Sequence, residues 1–374
     1  MNKTKRCLGV VFSAALLFSA VSAEAEKLKP FVMPSARAGG FGGIHAAQGD
    51  DFSAIFSNPA SFAGLEKEFS AAELTISLYG PVFELLDLAV NHSGDLDISP
   101  LVGPGGFAAG FDIGGPIALG LVNQGFGFGV FNRTTADARV ASSRIRPAAA
   151  EEIFLVGGYS FRVLERDLHV LDAGFLGKGF YRGTLNLEAS IFDVTAMFED
   201  VSSYPYSTQF GLGLDLGVKY TFNGTLTFAL AGYDVFSPAL VTSYGAFSDF
   251  GSSGDQSYAV VQPRLALGVL YRIRNDFLDR YISDFTVMLD YRDFLDLFSL
   301  IPRNPVLNLS LGAEITLLKI LRLRAGIAEA LPAVGFGIDM KVLTFDFAIR
   351  GRELGLDPGV QPVYAVDLGF LFRY

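Results

Sequence analysis

The stretch QFGLGLDLGVKYTF, residues 209–222, alternates without a slip. Phe210, Leu212, Leu214, Leu216, Val218, Tyr220 and Phe222 share one parity; Gln209, Gly211, Gly213, Asp215, Gly217, Lys219 and Thr221 share the other. A period of two sends successive side chains to opposite faces of an extended strand, so one face is apolar and the other polar or small. The pattern returns in residues 307–317, where Leu307, Leu309, Leu311, Ala313, Ile315 and Leu317 oppose Asn308, Ser310, Gly312, Glu314 and Thr316. It returns again in residues 264–274, with Leu265, Leu267, Val269, Tyr271 and Ile273 against Arg264, Ala266, Gly268, Arg272 and Arg274.

Half of the chain is hydrophobic, yet beyond residue 25 no apolar run approaches the ~20 residues of a spanning helix. Strands that place apolar side chains at every second position reconcile the two facts, because a closed sheet satisfies its own backbone in lipid. The fold class expected is therefore all-β, a transmembrane antiparallel β-barrel. Fourteen segments fit: 68–79, 106–122, 125–140, 151–163, 169–188, 207–222, 225–236, 258–273, 282–294, 305–318, 320–330, 333–341, 342–352 and 363–374. The second, GFDIGGPIALGLV within it, admits one broken strand or two. Joins after strands 2, 4, 6, 8, 10 and 12 read as mostly short, those after 1, 3, 5, 7, 9 and 13 as mostly longer. That is the outer-membrane pattern of short periplasmic turns and long external loops. An even count predicts both termini on the periplasmic side.

The final strand, VYAVDLGFLFRY, carries Tyr364, Val366, Leu368, Phe370, Phe372 and Tyr374 on one parity. It resembles the C-terminal signal read by the outer-membrane barrel assembly machinery, a partner expected during biogenesis alongside outer-membrane lipid. At the other end, Lys3, Lys5 and Arg6 precede an apolar run from Leu8 to Val21 and a small-residue site ending at Ala25. Residues 1–25 read as a secretory signal peptide. Cys7, the one cysteine, lies inside it, leaving neither a disulfide framework nor thiol chemistry beyond it. The formal net charge of −10 argues against nucleic acid as a partner.

Residues 26–66 precede the first strand, which leaves 67–374 for the barrel. They are small and Gly-rich, and include ARAGGFGGIHAAQGDDFSAIFSNPASFAG, residues 36–64. Pro59 lacks a donor and biases Asn58 out of the helical region, and the Asn58 amide can satisfy groups the turn leaves open. The triplet is thus expected to end a short helix and pin the segment to a wall.

This stretch resembles the N-terminal hatch of the FadL-type long-chain fatty acid transporter family, with an overall flavour nearest its spirochaete-type members. Ala36-Arg37, Gly39 to Gly43, Asp50-Asp51, the small-residue helix from Ser53 to Phe56 and Asn58-Pro59-Ala60 carry the likeness. Ser57 stands where the family often has an aromatic, and Ser61-Phe62 where it often has Gly-Leu. The resemblance implies a monomeric barrel of about fourteen strands with residues 26–66 as a plug in the lumen. It further implies passive uptake of hydrophobic molecules, long-chain fatty acids first, without a cofactor, and sideways release through a gap in the wall.

Three groups of residues are candidates for that work. Gly114, Gly115 and Pro116 interrupt a membrane-length segment and mark a lateral gap, a bulge or a turn; the GFGFG of 125–129 is a second possible kink. Ile191, Val194 and Phe198 form a helical stripe, and with Leu240, Tyr244 and Phe247 they make two unusually apolar loops, 189–206 and 237–257, expected to catch an apolar ligand or else to cap the barrel. Arg322 and Arg324 share the polar parity of one strand and are candidates for a carboxylate head group, with lumen salt bridges as the alternative. No phosphate loop, metal spacing among His45, His92 and His169, or Gly-x-Ser-x-Gly motif is present, so no enzyme is expected. The other readings of such a barrel are a docking or shuttle protein for secreted partners, an adhesin or antigen, and an aqueous porin; the last is opposed by the plug.

Overall fold

The computed structural model describes residues 26–43, 45–81, 107–141, 144–190, 200–273 and 282–373. In chain order the strands are β1 (Glu26–Leu28), β2 (Glu68–Tyr79), β3 (Phe107–Asn123), β4 (Phe126–Ala141), β5 (Arg144–Arg166), β6 (His169–Asn186), β7 (Ala189–Ser190), β8 (Tyr206–Phe222) and β9 (Leu226–Phe236). There follow β10 (Pro238–Tyr244), β11 (Asp255–Val261), β12 (Arg264–Arg272), β13 (Ile282–Tyr291), β14 (Leu309–Leu317), β15 (Leu321–Ala328), β16 (Leu331–Asp339), β17 (Leu343–Glu353) and β18 (Pro362–Arg373). One sheet holds them all, and β2–β6, β8, β9 and β12–β18 form a closed circuit of fourteen antiparallel strands. Closure runs through β18 against β2 and β9 against β12.

Alternation sets the two faces of the wall. On β8, Phe210, Leu212, Leu216 and Val218 point outward and are exposed, while Gly211, Gly213, Asp215 and Gly217 point inward and are buried. An apolar exterior around a polar or small-residue interior is the inside-out arrangement that lipid selects. Tight hairpins close the short-turn end. Asn223-Gly224 and Leu318-Lys319 take positive φ at both positions, the twist that suits a two-residue β-turn.

The strands differ from the expected boundaries in instructive ways. β5 begins at Arg144, well before residue 151, so the join from β4 is residues 142–143 and not a long loop. The expected strand 258–273 is two, β11 and β12, parted at Gln262-Pro263 where proline cannot donate to the ladder. Much of the expected loop 237–257 is the β10–β11 pair, which extends the wall above β8 and β9. The wall is consequently uneven. β5 has 23 residues and β8 has 17, whereas β13, β14 and β15 have 10, 9 and 8.

Residues 26–66 run inside this circuit. β1 adds in parallel to β11, with Leu28 opposite Val261, and Arg182 donates to the Lys29 carbonyl from near the loop end of β6. The first described residues therefore lie in the loop-side half of the lumen, not on the short-turn side that strand parity predicted. Parity counts only the strands of the circuit, and this segment enters it from within.

Candidate functional site

The N-terminal segment is built of single turns. Ser35 caps the helix Ala36–Gly40 by accepting from the Ala38 amide at 3.2 Å. A second helix, Ala54–Ser57, ends at Asn58, which also begins the 3-10 helix Pro59–Gly64. Asn58 is fully buried. Its Oδ1 accepts from the Ala60 amide at 3.0 Å, and its Nδ2 donates to the Ala46 carbonyl at 3.0 Å and to the Leu230 carbonyl of β9 at 3.4 Å. One side chain thus ends a helix, starts a turn and joins segment to wall.

Charge makes a second tether. Arg37 donates to both carboxylate oxygens of Glu314 on β14, at 3.2 and 2.8 Å, and reaches Asp50 at 3.4 Å and Asp51. Glu314 also accepts from Arg324 on β15 at 2.6 Å, and Arg324 donates to Asp346 on β17. The chain Asp51–Arg37–Glu314–Arg324–Asp346 therefore runs from the segment across the wall. Burial on its own would raise the Asp51 carboxyl, but the Arg37 guanidinium and the hydroxyl and amide of Ser53 hold it below the usual carboxylate value. Burial works against the charged Arg37 guanidinium, yet Asp50, Asp51 and Glu314 drive its pKa well above the usual value.

A third set of contacts was not anticipated. His45, fully buried, lies 2.6 Å through Nδ1 from Asp290 on β13, whose other oxygen accepts from the Ala46 amide at 2.7 Å. Ser310 donates to the Gly42 carbonyl at 2.7 Å, and Tyr233 donates to the Ser57 carbonyl. Inward-facing glycines form the seat. A Cβ on Gly312 or Gly326 would lie 2.4 Å from the Phe41 carbonyl oxygen, and one on Gly217 would lie 2.0 Å from Asn58 Oδ1. The sequence did carry this signal, because on β8, β14 and β15 these glycines share the polar or small parity of the strand.

Two cavities flank the segment. The upper one, ≈ 850 Å³, opens toward the loops. Its apolar floor joins Phe31 and Phe56 of the segment to Phe154 and Phe180 of the wall. Phe31 lies 4.6 Å from Phe180 and 5.7 Å from Phe154, and Phe56 lies 4.9 Å from Phe131, ring centre to ring centre. Phe131, Phe154 and Phe180 are register partners on β4, β5 and β6. Sequence reasoning missed this ladder, because a register between strands is not written in either strand alone. Above it, basic groups gather. Arg264 stacks on Tyr233 at 5.2 Å and makes no ion pair among the described residues. The lower cavity, ≈ 60 Å³, is bounded by Met33, Phe52, Glu73, Arg322, Asp346 and Arg373, among others. It has room for a water or two and not for an alkyl chain.

The ladder breaks beside the lower cavity. β2 pairs with β3 from Glu68↔Val122 to Ser70↔Gly120 and resumes only at Thr75↔Gly114, which leaves residues 71–74 and 115–119 out of register. The β3–β4 ladder skips from Gly114↔Arg133 to Ala118↔Phe131. There the Asn132 side chain accepts from the Ile117 amide at 2.9 Å in place of a backbone partner. Gly114, Gly115 and Pro116 thus lie in a bulge within β3, a single irregular strand and not a turn. Glu73 belongs both to this break and to the cavity lining.

The other sequence-predicted residues scatter. Leu240 is on the outer parity of β10, opposite to the buried Ala239 and Val241. Tyr244 and Phe247 join Tyr206 and Phe250 in an aromatic cluster at the loop-side rim; Tyr206 lies 5.0 Å from Phe247 and 6.2 Å from Tyr244. Ile191, Val194 and Phe198 lie outside the described residues, as do residues 1–25, expected to be a signal peptide, and Tyr374. Arg324 is buried in its ion pairs, while Arg322 pairs with Asp339 at 2.7 Å and lines the lower cavity. Among the described residues no cluster of His, Cys, Asp and Glu has the makings of a metal site.

No known family model matches the chain, and no curated protein matches it in sequence. Among solved structures it is similar to a FadL homologue of Pseudomonas aeruginosa, at 13% identity, covering 93% of this chain and 98% of that one, with a TM-score of 0.46. The toluene transporter TodX of Pseudomonas putida follows at 11% identity, 94% and 99% coverage and a TM-score of 0.46. The toluene transporter TbuX of Ralstonia pickettii stands at 13% identity, 91% and 99% coverage and a TM-score of 0.45.

Proposed function

We propose that the chain is an outer-membrane barrel of the FadL type that admits hydrophobic molecules passively, with long-chain fatty acids the first candidates. The observation that carries this reading is the filled lumen beside a broken wall. The N-terminal segment separates an open cavity with a phenylalanine floor from a lower one that abuts the interrupted β2–β3 ladder. An aqueous porin needs neither the plug nor the break.

In this reading residues 26–66 are a hatch. An apolar ligand meets the loop-side rim, where Tyr244 and Phe247 cluster, and descends to Phe31, Phe56, Phe154 and Phe180. A carboxylate head group would find Arg264 above the floor, whose guanidinium lacks a carboxylate partner among the described residues. The lower cavity is too small for the tail, so passage requires the hatch to shift about its Asn58 and Arg37 tethers. The exit would lie at the bulge of Gly114, Gly115 and Pro116, with Arg322 lining the approach. The test is saturable binding of a fluorescent long-chain fatty acid to the refolded barrel, with unlabelled oleate as competitor. Competed binding that weakens about tenfold or more in Phe180→Ser, a loss of the size expected for a buried aromatic anchor, is the expected result. A folded, heat-modifiable barrel without competed binding would remove fatty acids as the ligand.

A further inference from the structure

The join between β13 and β14 has its polarity inverted. It passes through two single turns, Leu295–Phe298 and Pro305–Asn308. Apart from the buried Leu307, its large apolar side chains face outward, with Leu300 98%, Phe298 76% and Ile301 69% exposed. Its polar groups turn inward and are matched. Asp296 accepts from the Arg303 amide at 3.1 Å and from Asn308 Nδ2 at 3.0 Å, and Asp293 accepts from the Leu295 amide at 3.1 Å. Arg303 donates to the Glu353 carbonyl at 2.7 Å, and Asn304 donates through its backbone to the Leu356 carbonyl at 2.8 Å and through Nδ2 to Asp357 at 3.1 Å. The base of the join is thereby fastened to the neighbouring loop between β17 and β18. None of residues 293–308 lines either cavity.

A water-solvated loop places these groups the other way round, since unpaired polar atoms are cheap in water and costly in hydrocarbon. The height of the join points to the same solvent. β13 and β14, at 10 and 9 residues, match one tilted crossing of about 9–11 residues. The join therefore starts where the bilayer ends, on the low side of an uneven wall. Rings make it continuous with the lipid-facing exterior. Tyr291, on the outward parity of β13 with the exposed Leu289, lies 6.1 Å from Phe294, which lies 5.8 Å from Phe298.

We propose that residues 294–301 form an interfacial foot that inserts Phe298, Leu300 and Ile301 among the acyl chains of the outer leaflet, anchoring the low wall in depth. The proposal rests on reading the barrel as membrane-embedded, and its test separates the two. The chain contains no tryptophan, so one introduced residue reports alone. Three full-length proteins, Leu300→Trp in the foot, Leu311→Trp on the outer face of β14 and Phe250→Trp at the high rim, are placed in dioleoylphosphatidylcholine vesicles with plain or brominated acyl chains. The Leu300→Trp and Leu311→Trp proteins are expected to lose most of their emission to brominated lipid and little to aqueous iodide, and the Phe250→Trp protein the reverse. If the Leu311→Trp protein is quenched by lipid while the Leu300→Trp protein is quenched by iodide alone, the foot is overturned and the embedded barrel stands. Shielding of the Leu300→Trp protein from both quenchers also overturns it, because protein and not lipid then covers the site. If brominated lipid fails to quench even the Leu311→Trp protein, the membrane reading falls and the foot with it.

Discussion

Arg37 shows how one side chain ties a loosely built segment to a rigid wall. Its guanidinium is shared by Asp50 and Asp51 of the segment and by Glu314 of β14. The wall side is held in turn by Arg324 and Asp346. Removing one member of a buried ion network leaves its partners charged and unpaired, which costs about 3–5 kcal/mol. Arg37→Gln is accordingly expected to raise amide hydrogen exchange across residues 36–60 by roughly a hundredfold or more, while the barrel still migrates as a heat-modifiable band. An unchanged exchange profile would mean that Asn58 and His45 suffice. The same network predicts a pH dependence. The Asp51 carboxyl is lowered in the folded state, so its contribution is complete above the ordinary aspartate value of about 4 and is lost as pH falls through the lowered value. The share of the segment's protection that depends on Asp51 should therefore be constant from neutral pH to about 5 and fall below about 4. In Asp51→Asn the low-pH loss should be blunted.

At the scale of elements, strand and segment fit through glycine. The inward positions of β14 and β15 that face Phe41 are Gly312 and Gly326, and a Cβ on Gly326 would stand 2.4 Å from the Phe41 carbonyl carbon and oxygen. Backbone cannot yield as a flexible side chain can. Overpacking of this kind typically costs about 1–3 kcal/mol, and here the least constrained part is the helix Ala36–Gly40, not the wall. Gly326→Val is expected to expose residues 36–43 to limited proteolysis without a comparable change in the urea midpoint of the vesicle-inserted barrel. Gly179→Val is the matched control, since a Cβ there meets only Leu212 Cδ2 at 3.9 Å on the outward parity of β6. Equal proteolysis of the two variants would deny the glycine seat its role. The bulge in β3 is an element-scale feature of the opposite kind, where the wall gives way and a side chain, Asn132, stands in for the missing ladder bond.

The molecule as a whole combines a lumen that is wide above and nearly shut below. The cavities of ≈ 850 and ≈ 60 Å³ differ because residues 26–66 occupy the space between them. If the segment is the stopper, deleting residues 26–66 should turn a nearly silent barrel into one with clear conductance steps in a planar bilayer. Silence in a correctly folded deletion protein would assign the blockage to the wall or to the loops. The uneven wall matters at the same scale. Long strands β3–β6 and β8 raise one rim, and the short β12–β16 side brings the other rim down to the level expected of the bilayer surface.

The sequence by itself determined the wall. Alternation is local, each strand carries its own parity, and lipid outside with polar or small groups inside leaves little freedom in how residues 209–222 or 309–317 face. Asn58-Pro59-Ala60 was legible as the end of a short helix for a similar reason, since proline and asparagine act on their own backbone, whereas Arg37 and Asp50-Asp51 pointed to a plug only through the resemblance to the hatch. Only the tertiary structure decided which residues meet. The Phe131, Phe154 and Phe180 ladder depends on the stagger between strands, and the pairing of His45 with Asp290 spans most of the chain. Arg324, whose parity admitted either a ligand contact or a lumen salt bridge, is held by Glu314 and Asp346. Leu240 faces outward because β10 continues the wall where a loop had been expected. Parity says which face a side chain takes; register and closure say what stands opposite, and those are set by the whole circuit at once.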